Sequence, residues 1–335
     1  MTLSLLDRDV AVDLGTSAVR VHRRGAARTI DEPALLARHR ATGRPVAFGH
    51  DALRIVGRNP APIDVTRPIV DGTVADVVGC EQLLRLVFDR ALARRRLFAR
   101  RPGVLVAVPA ATTGLERRAV QHAVEAAGAR PPVVVMEAPL AAAIGAGLPV
   151  EEAYGSMIVD VGRGITEAAV VCLGAPITSA STRVGGARVD RVIADCLRDR
   201  YDVAVGEVTA EHTKIALRAA CDERRQTLDV RGVDVDTGLP RTVRVDVADL
   251  VDALRDPIEA IVTTVRNALD GAPPTLAADV MEEGIFLTGG GALLVGLAER
   301  LSDATGITVT TAADPRAAVI NGARQCLDVT HRLGG

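Results

Sequence analysis

The chain carries one pattern twice. Residues 10–21 read VAVDLGTSAVRV and residues 157–170 read MIVDVGRGITEAAV, about 147 residues apart. Each copy runs an apolar stretch into an aspartate, Asp13 or Asp160, passes a glycine-bearing polar turn and resumes as an alternating apolar segment. That order predicts strand, tight turn, strand. Taken singly, either copy is equally an ordinary β-hairpin. Together they predict two similar domains facing each other, one unit used twice. The backbone N–H groups of such a turn form a concave cradle for an anion. Gly15 keeps side-chain bulk out of it, and the Thr16 and Ser17 hydroxyls add to it. A carboxylate at the strand end beside the cradle suits a metal-bound water.

The length of 335 residues accommodates two domains. Hydrophobic residues at 48% and charged residues at 24% mark a globular chain, not a disordered one. A net charge of −2 gives no overall attraction to nucleic acid or membrane. With no Trp, two Tyr and four Phe, the core falls to Val, Leu, Ile and Ala, and a base-stacking surface is not expected. The five cysteines are dispersed without a CxxC pair, which fits free thiols in a reducing compartment better than a disulfide frame or zinc site. The start, MTLSLLDRDV, is too short and acidic for a signal peptide. No apolar run reaches the roughly 18 residues of a membrane span. A cytoplasmic location is expected.

TIDEPALLARH reads as one further extended stretch, and the turn-rich passage from Ala41 to Arg67 as a small inserted subdomain with little helix. Cys80, Leu83, Leu84, Val87 and Ala91 have helical spacing. That helix runs into ARRRLFARRP, where arginines surround Leu97 and Phe98. Two readings are open there: a basic helix end with a solvated loop, or a loop that inserts Leu97 and Phe98 among lipid tails. VLVAVPA reads as a buried strand. The following helix has Leu115, Ala119, Val120, Ala123, Val124 and Ala127 on one face and Thr112 or Thr113 as cap. Glu116 in its first turn is either a favourable charge at the helix start or a group that orients a water. MEAPLAAAIGAGLP contains a helix of small residues, suited to close packing.

In the second half, GGARVDRVIADCLRDRY reads as a helix, and VAVGEVTAEHTKIALRAA as another that gathers Glu207, Glu211 and Lys214, the chain's sole lysine. Glu211 and Lys214 share a helical face, as a surface ion pair or as groups for sugar hydroxyls. VDVDTGLPRTVRVD reads as a hairpin, and DLVDALRDPIEAIVTTVRNALDGAP as one long amphipathic helix. GIFLTGGGALLVGLAERL predicts a strand, three glycines and a helix, where a flat or anionic ligand approaches the backbone.

With these motifs assembled, the chain resembles the superfamily of actin, heat-shock chaperone ATPase domains and sugar kinases, and within it the MreB and Mbl bacterial actin homologues. The resemblance spans about Val10 to Asp328 and rests on VDLGT, VPAATTGLERRAV, MEAPLAAAIGAGLP, GEVTAEHTK, DTGLPRT, LAADVMEEGIFLTGGGALLVGL and DPRAAVINGARQCL. It implies an α/β actin-like ATPase fold: two RNase-H-like domains across a nucleotide cleft. Residues 1–145 would form the first, with an insertion at about 33–68. Residues 146–335 would form the second, with an insertion at about 182–245 and a C-terminal helix at 315–330 packed back on the first.

The resemblance also implies ATP or ADP with Mg²⁺ between the domains. Asp13, Gly15, Thr16, Ser17 and Ala18 match the first phosphate loop, and Asp160, Gly162, Arg163, Gly164 and Thr166 the second, with Asp13 and Asp160 holding the metal through water. Glu116 matches the residue that positions the attacking water. Glu207, Glu211 and Lys214 match the ribose contacts, and Gly289, Gly290, Gly291 and Ala292 the adenosine loop. Leu97 and Phe98 fall where MreB proteins carry a membrane-inserting loop. The implied function is a slow ATPase that polymerises into filaments, paired ones included, on the inner face of the cytoplasmic membrane. There it guides cell-wall synthesis and cell shape with elongation proteins and MreB paralogues, and binds no nucleic acid.

The chain departs from the family pattern in both loops. Ala18 and Val19 replace Asn-Thr, Ile165 replaces a hydroxyl residue and Arg163 brings a cation into the second turn. Ala187 and Arg188 replace acidic residues. Arg163 can turn to solvent, pair with a phosphate or take the metal's place. These changes keep open a second reading, a hydrolysis-impaired accessory paralogue or regulator of a true MreB.

Overall fold

The structure is a computed structural model that describes residues 9–92 and 101–332. β1 (Val10–Leu14) and β2 (Ala18–Arg23) form the first hairpin, and β3 (Ile30–Pro33) pairs with β2. The stretch TIDEPALLARH is two strands, not one. After Pro33 the chain leaves the sheet as β4 (Leu36–His39), which pairs with β5 (Pro45–Phe48) and β6 (Ile63–Thr66) in a separate three-stranded sheet. A short helix, α1 (Gly49–Leu53), lies between β5 and β6. A two-stranded flap of β7 (Ile69–Val70) and β8 (Thr73–Val74) leads into α2 (Val77–Leu92). Then come β9 (Gly103–Val108), α3 (Gly114–Ala126), β10 (Arg130–Glu137) and α4 (Ala138–Gly145). β9 lies parallel to β1 and β10 parallel to β9, so the sheet order is β10-β9-β1-β2-β3.

The second half repeats this plan. β11 (Ser156–Val161), β12 (Thr166–Cys172) and β13 (Ala175–Thr182) form the antiparallel part. Next come α5 (Gly186–Tyr201), β14 (Val203–Ala204), α6 (Glu207–Asp222), β15 (Thr227–Asp234) and β16 (Pro240–Asp246), the three strands forming a small sheet. Then follow α7 (Val247–Ala253), α8 (Arg255–Asp270), α9 (Pro274–Glu283), β17 (Ile285–Thr288), α10 (Leu297–Thr305), β18 (Val309–Thr311) and α11 (Ala318–Arg332). The main sheet runs β18-β17-β11-β12-β13, the order of the first sheet strand for strand.

Three local expectations are corrected. The long helix predicted from Asp249 is two helices joined at Leu254, whose N–H bonds to Val251 three residues back. Pro257 has no N–H to continue the α-helical ladder there. The three glycines do not open an α-helix directly: Gly290–Leu293 form a 3₁₀ turn, and α10 begins at Leu297. Leu115 stands 72% exposed, outside the buried face of α3, which comprises Val120, Ala123 and Val124.

Strand alternation sets the layers. Val10, Val12 and Leu14 of β1 face one core, while Ala11 faces another. In β11, Met157, Val159 and Val161 face an outer core, while Ile158 joins Ala11. Strands buried on both faces read as near-continuous apolar runs, as these do. The shared layer is built by α4 and α11, whose Leu140, Ala142, Ile320 and Ala323 fill the space between the sheets. Among the described residues no helix is long and apolar enough to cross a membrane.

Candidate functional site

The same alternation aims the chemistry. Asp13 lies two residues past Ala11, and Asp160 two past Ile158, so both side chains take the sheet face turned to the shared layer. Both line a cleft of about 490 Å³. Each is followed by the same tight turn: the Gly15 N–H donates to Ala18 O at 3.1 Å, and the Gly162 N–H to Ile165 O at 2.9 Å. The flap of β7 and β8 closes over both turns. Gly72 N–H donates to Thr16 Oγ1 at 3.0 Å, and a Cβ at Gly164 would lie 2.7 Å from Asp71 Cα. Gly164 is therefore required by a close approach of backbone.

The two aspartates differ in company. Burial pushes the Asp13 carboxyl up, opposed by Arg20, whose Nη1 donates to Oδ2 at 3.0 Å. Burial, then the charge of Asp13, pushes Asp160 up to about 6, while the Thr288 hydroxyl donates to its Oδ1 at 3.1 Å. Arg20 is the cross-strand partner of Asp13, and the corresponding partner of Asp160 is Glu167. Glu167 is 2% exposed, lines the cleft and accepts the Ala110 N–H at 2.7 Å. Burial raises its carboxyl to about 8. Sequence reading passed over both residues, although alternation from Ala169 and Val171 places Glu167 on the shared face.

Gly15, Thr16, Ser17 and Ala18 line the cleft, as do Gly162, Arg163, Gly164, Glu211, Lys214 and Gly289 to Gly291. Arg218 and Arg316 add cations to the lining. Four other expected residues stand apart. Thr166 faces the outer core and its hydroxyl donates to Val184 O at 2.7 Å, because it is one residue out of phase with Glu167. Glu116 is outside the lining, in a capping box: its Oε2 accepts the Thr113 N–H at 2.8 Å and the Thr113 hydroxyl at 2.7 Å. These bonds hold the Glu116 carboxyl below the usual range. Ala292 is buried behind the glycines, and Glu207 sits at the cleft mouth. Leu97 and Phe98 lie outside the described residues.

Arg163 does not turn to solvent. Its side chain is 7% exposed and turns from the Gly162–Gly164 turn toward α5 and α6. There Nη1 donates to Asp190 Oδ2 at 3.0 Å and Nη2 to Glu207 Oε1 at 2.6 Å, with Glu211 Oε2 at 3.5 Å. Lys214 pairs with Asp190 at 2.7 Å, not with Glu211 as the helical spacing allowed. Burial raises the Asp190 carboxyl, and Lys214 and Arg163 work against that.

Known proteins share this architecture. The MreB/Mbl protein family model matches residues 7–334. The cell shape-determining protein MreB of Escherichia coli (strain K12) is 40% identical over 99% of this chain and 96% of its own. The cell shape-determining protein Mbl of Bacillus subtilis (strain 168) is 36% identical over 97% of each chain. Crystal structures of MreB 5 of Spiroplasma citri bound to AMPPNP and to ADP superpose with TM-scores of 0.86 and 0.89, at 28% and 29% identity, over 97% of this chain and 98% of those. Paired hairpin turns on twin sheets, matched along nearly the whole chain, place this protein in the MreB/Mbl family of actin-like proteins, whose relatives above are cell shape-determining.

Proposed function

We propose that the chain binds ATP in the cleft and polymerises into filaments on the cytoplasmic face of the membrane, where they guide cell-wall synthesis and so cell shape. The carrying observation is the convergence of two like hairpin turns and two buried carboxylates on one cleft. That similar proteins crystallise with AMPPNP and ADP supports a nucleotide as the ligand. Gly290 leaves its side open, with only Arg316 Nε at 4.0 Å from a built Cβ, which suits close approach of a flat group to the backbone.

Mg²⁺ fits the donor set. Among the described residues no three His, Cys, Asp or Glu side chains gather for a metal. Mg²⁺ with nucleotide needs only one or two carboxylates, the phosphates and waters. Asp13 and Asp160 supply two carboxylates whose repulsion a divalent cation relieves, and the ion would neutralise developing phosphate charge. Around it, this chain's residues bind and exclude: the turns cradle phosphates, the flap covers them, and Glu167 ties the 109–111 segment to the second sheet.

A second reading has its own support. Glu116 is engaged in its helix cap and Thr166 in a backbone bond, so neither faces the cleft to orient a water. This favours slow turnover, or an accessory paralogue that binds nucleotide and partners a true MreB.

Sedimentation separates these readings. The purified chain should pellet with ATP and Mg²⁺, and pellet further with anionic liposomes. Leu97→Ala with Phe98→Ala should remove only the liposome-dependent part. A chain that stays in the supernatant under every condition would contradict self-assembly.

A further inference from the structure

The flap that covers the phosphate turns is fastened from below. Arg67, two residues before β7, reaches across the cleft mouth to α6, where its Nη2 donates to Glu207 Oε1 at 2.6 Å and its Nε at 3.2 Å. That carboxylate oxygen also accepts Arg163 Nη2 at 2.6 Å. Burial opposes ionisation of Glu207, but Arg67 and Arg163 outweigh it and hold the carboxyl below its usual range. Arg163 is itself fixed by Asp190, which Lys214 holds from the other side. Glu207 is thus a stationary post, anchored to the second phosphate turn by Arg163 and gripped by Arg67 from the opposite half of the molecule.

We propose that the chain Arg67–Glu207–Arg163 is a latch that limits how fast nucleotide leaves the cleft, with Arg163 linking the second phosphate turn to the grip on the flap. The proposal rests on the reading of the cleft as a nucleotide site. Lifting the flap separates Gly72 from Thr16 and draws Arg67 off Glu207, because Arg67 leads into the short hairpin whose turn carries Gly72. A ligand on the second turn steadies Arg163, and through it the post.

The test is the rate at which a fluorescent ATP analogue, loaded with Mg²⁺, is displaced by excess ATP from the wild type, Arg67→Ala, Glu207→Gln and the double variant. Each single variant should release the analogue about five- to tenfold faster, the size of effect that loss of a partly buried charge pair produces in a dissociation rate. The double variant should release it no faster than the faster single, because both changes open one latch. Raising salt from about 0.05 M to about 0.5 M should speed wild-type release by a larger factor than release from the double variant. Unchanged release from the single variants, or additive effects in the double one, would overturn the latch while leaving the nucleotide site standing. An analogue that never binds the wild type would overturn the nucleotide reading itself.

Discussion

Replacing Gly322 by Ala should destabilise the protein by roughly 2–4 kcal/mol, although the same change inside an exposed helix stabilises by about 1 kcal/mol. Gly322 lies within α11 where it crosses α4. A Cβ there would sit 1.8 Å from Ala141 O and 2.7 Å from its carbonyl carbon. The opposing glycine is equally constrained, with a Cβ on Gly145 falling 1.8 Å from Ala318 O. Both obstacles are helix backbone, which cannot rotate aside, so the helices must separate and the shared layer loses its packing. That layer joins the two halves, since Ala11 and Leu105 of one sheet and Ile158 and Val171 of the other meet through it. Guanidinium unfolding checks the sign against Gly114→Ala, a site with nothing within 4 Å of a new Cβ. A Gly322→Ala protein as stable as the wild type would mean that the helices are not held this closely.

Stability of the nucleotide- and metal-free protein should fall as pH rises from 6 to 8, by on the order of 2 kcal/mol. Glu167 has an ordinary carboxyl value of 4.5, raised by burial to about 8 in the folded chain. Between those values the folded protein keeps a proton that the unfolded chain has released, so raising pH favours unfolding. The slope approaches about 1.4 kcal/mol per pH unit well inside that window and vanishes above it. Asp160, with a carboxyl at about 6, adds to the loss only in the lower part of the window. Glu167→Gln keeps an oxygen to accept the Ala110 N–H and has no proton to lose, so its denaturation midpoint should lose most of this dependence and be flat from pH 7 to 8. A wild type already flat there would show that Glu167 ionises as an ordinary surface acid does.

Much of this was legible because periodicity carries it. The repeat around Asp13 and Asp160 announced twin sheets, and alternation along β1 and β11 fixed which face each aspartate takes. The small residues of α4 announced a close crossing, though not that α11 supplies the other side. Glu167 was legible in principle: it shares the phase of Ala169 and lies opposite Asp160, but family likeness drew attention to Thr166, one residue out of phase. Thr113-x-x-Glu116 carried a capping-box signature, and the helix end used it. Arg163 was not legible. Its partners Asp190 and Glu207 come from two helices separated from the turn by 27 and 44 positions, and only tertiary packing decides where a long cation turns. The break at Leu254 reflects a proline whose effect competes with a strong amphipathic pattern.

Under the proposed function, two hairpin turns and two aspartates make one nucleotide site. Calorimetric titration of the chain with ATP in Mg²⁺ tests it directly, with Gly290→Val as the comparison. Gly290 lines the cleft and has open space beside its backbone, so valine there fills the cleft without disturbing the core. Saturable one-site binding in the micromolar range, abolished in Gly290→Val while the fold persists, is the predicted result. A wild type that binds no ATP, or a Gly290→Val chain that binds it as well, would contradict a nucleotide site in this cleft.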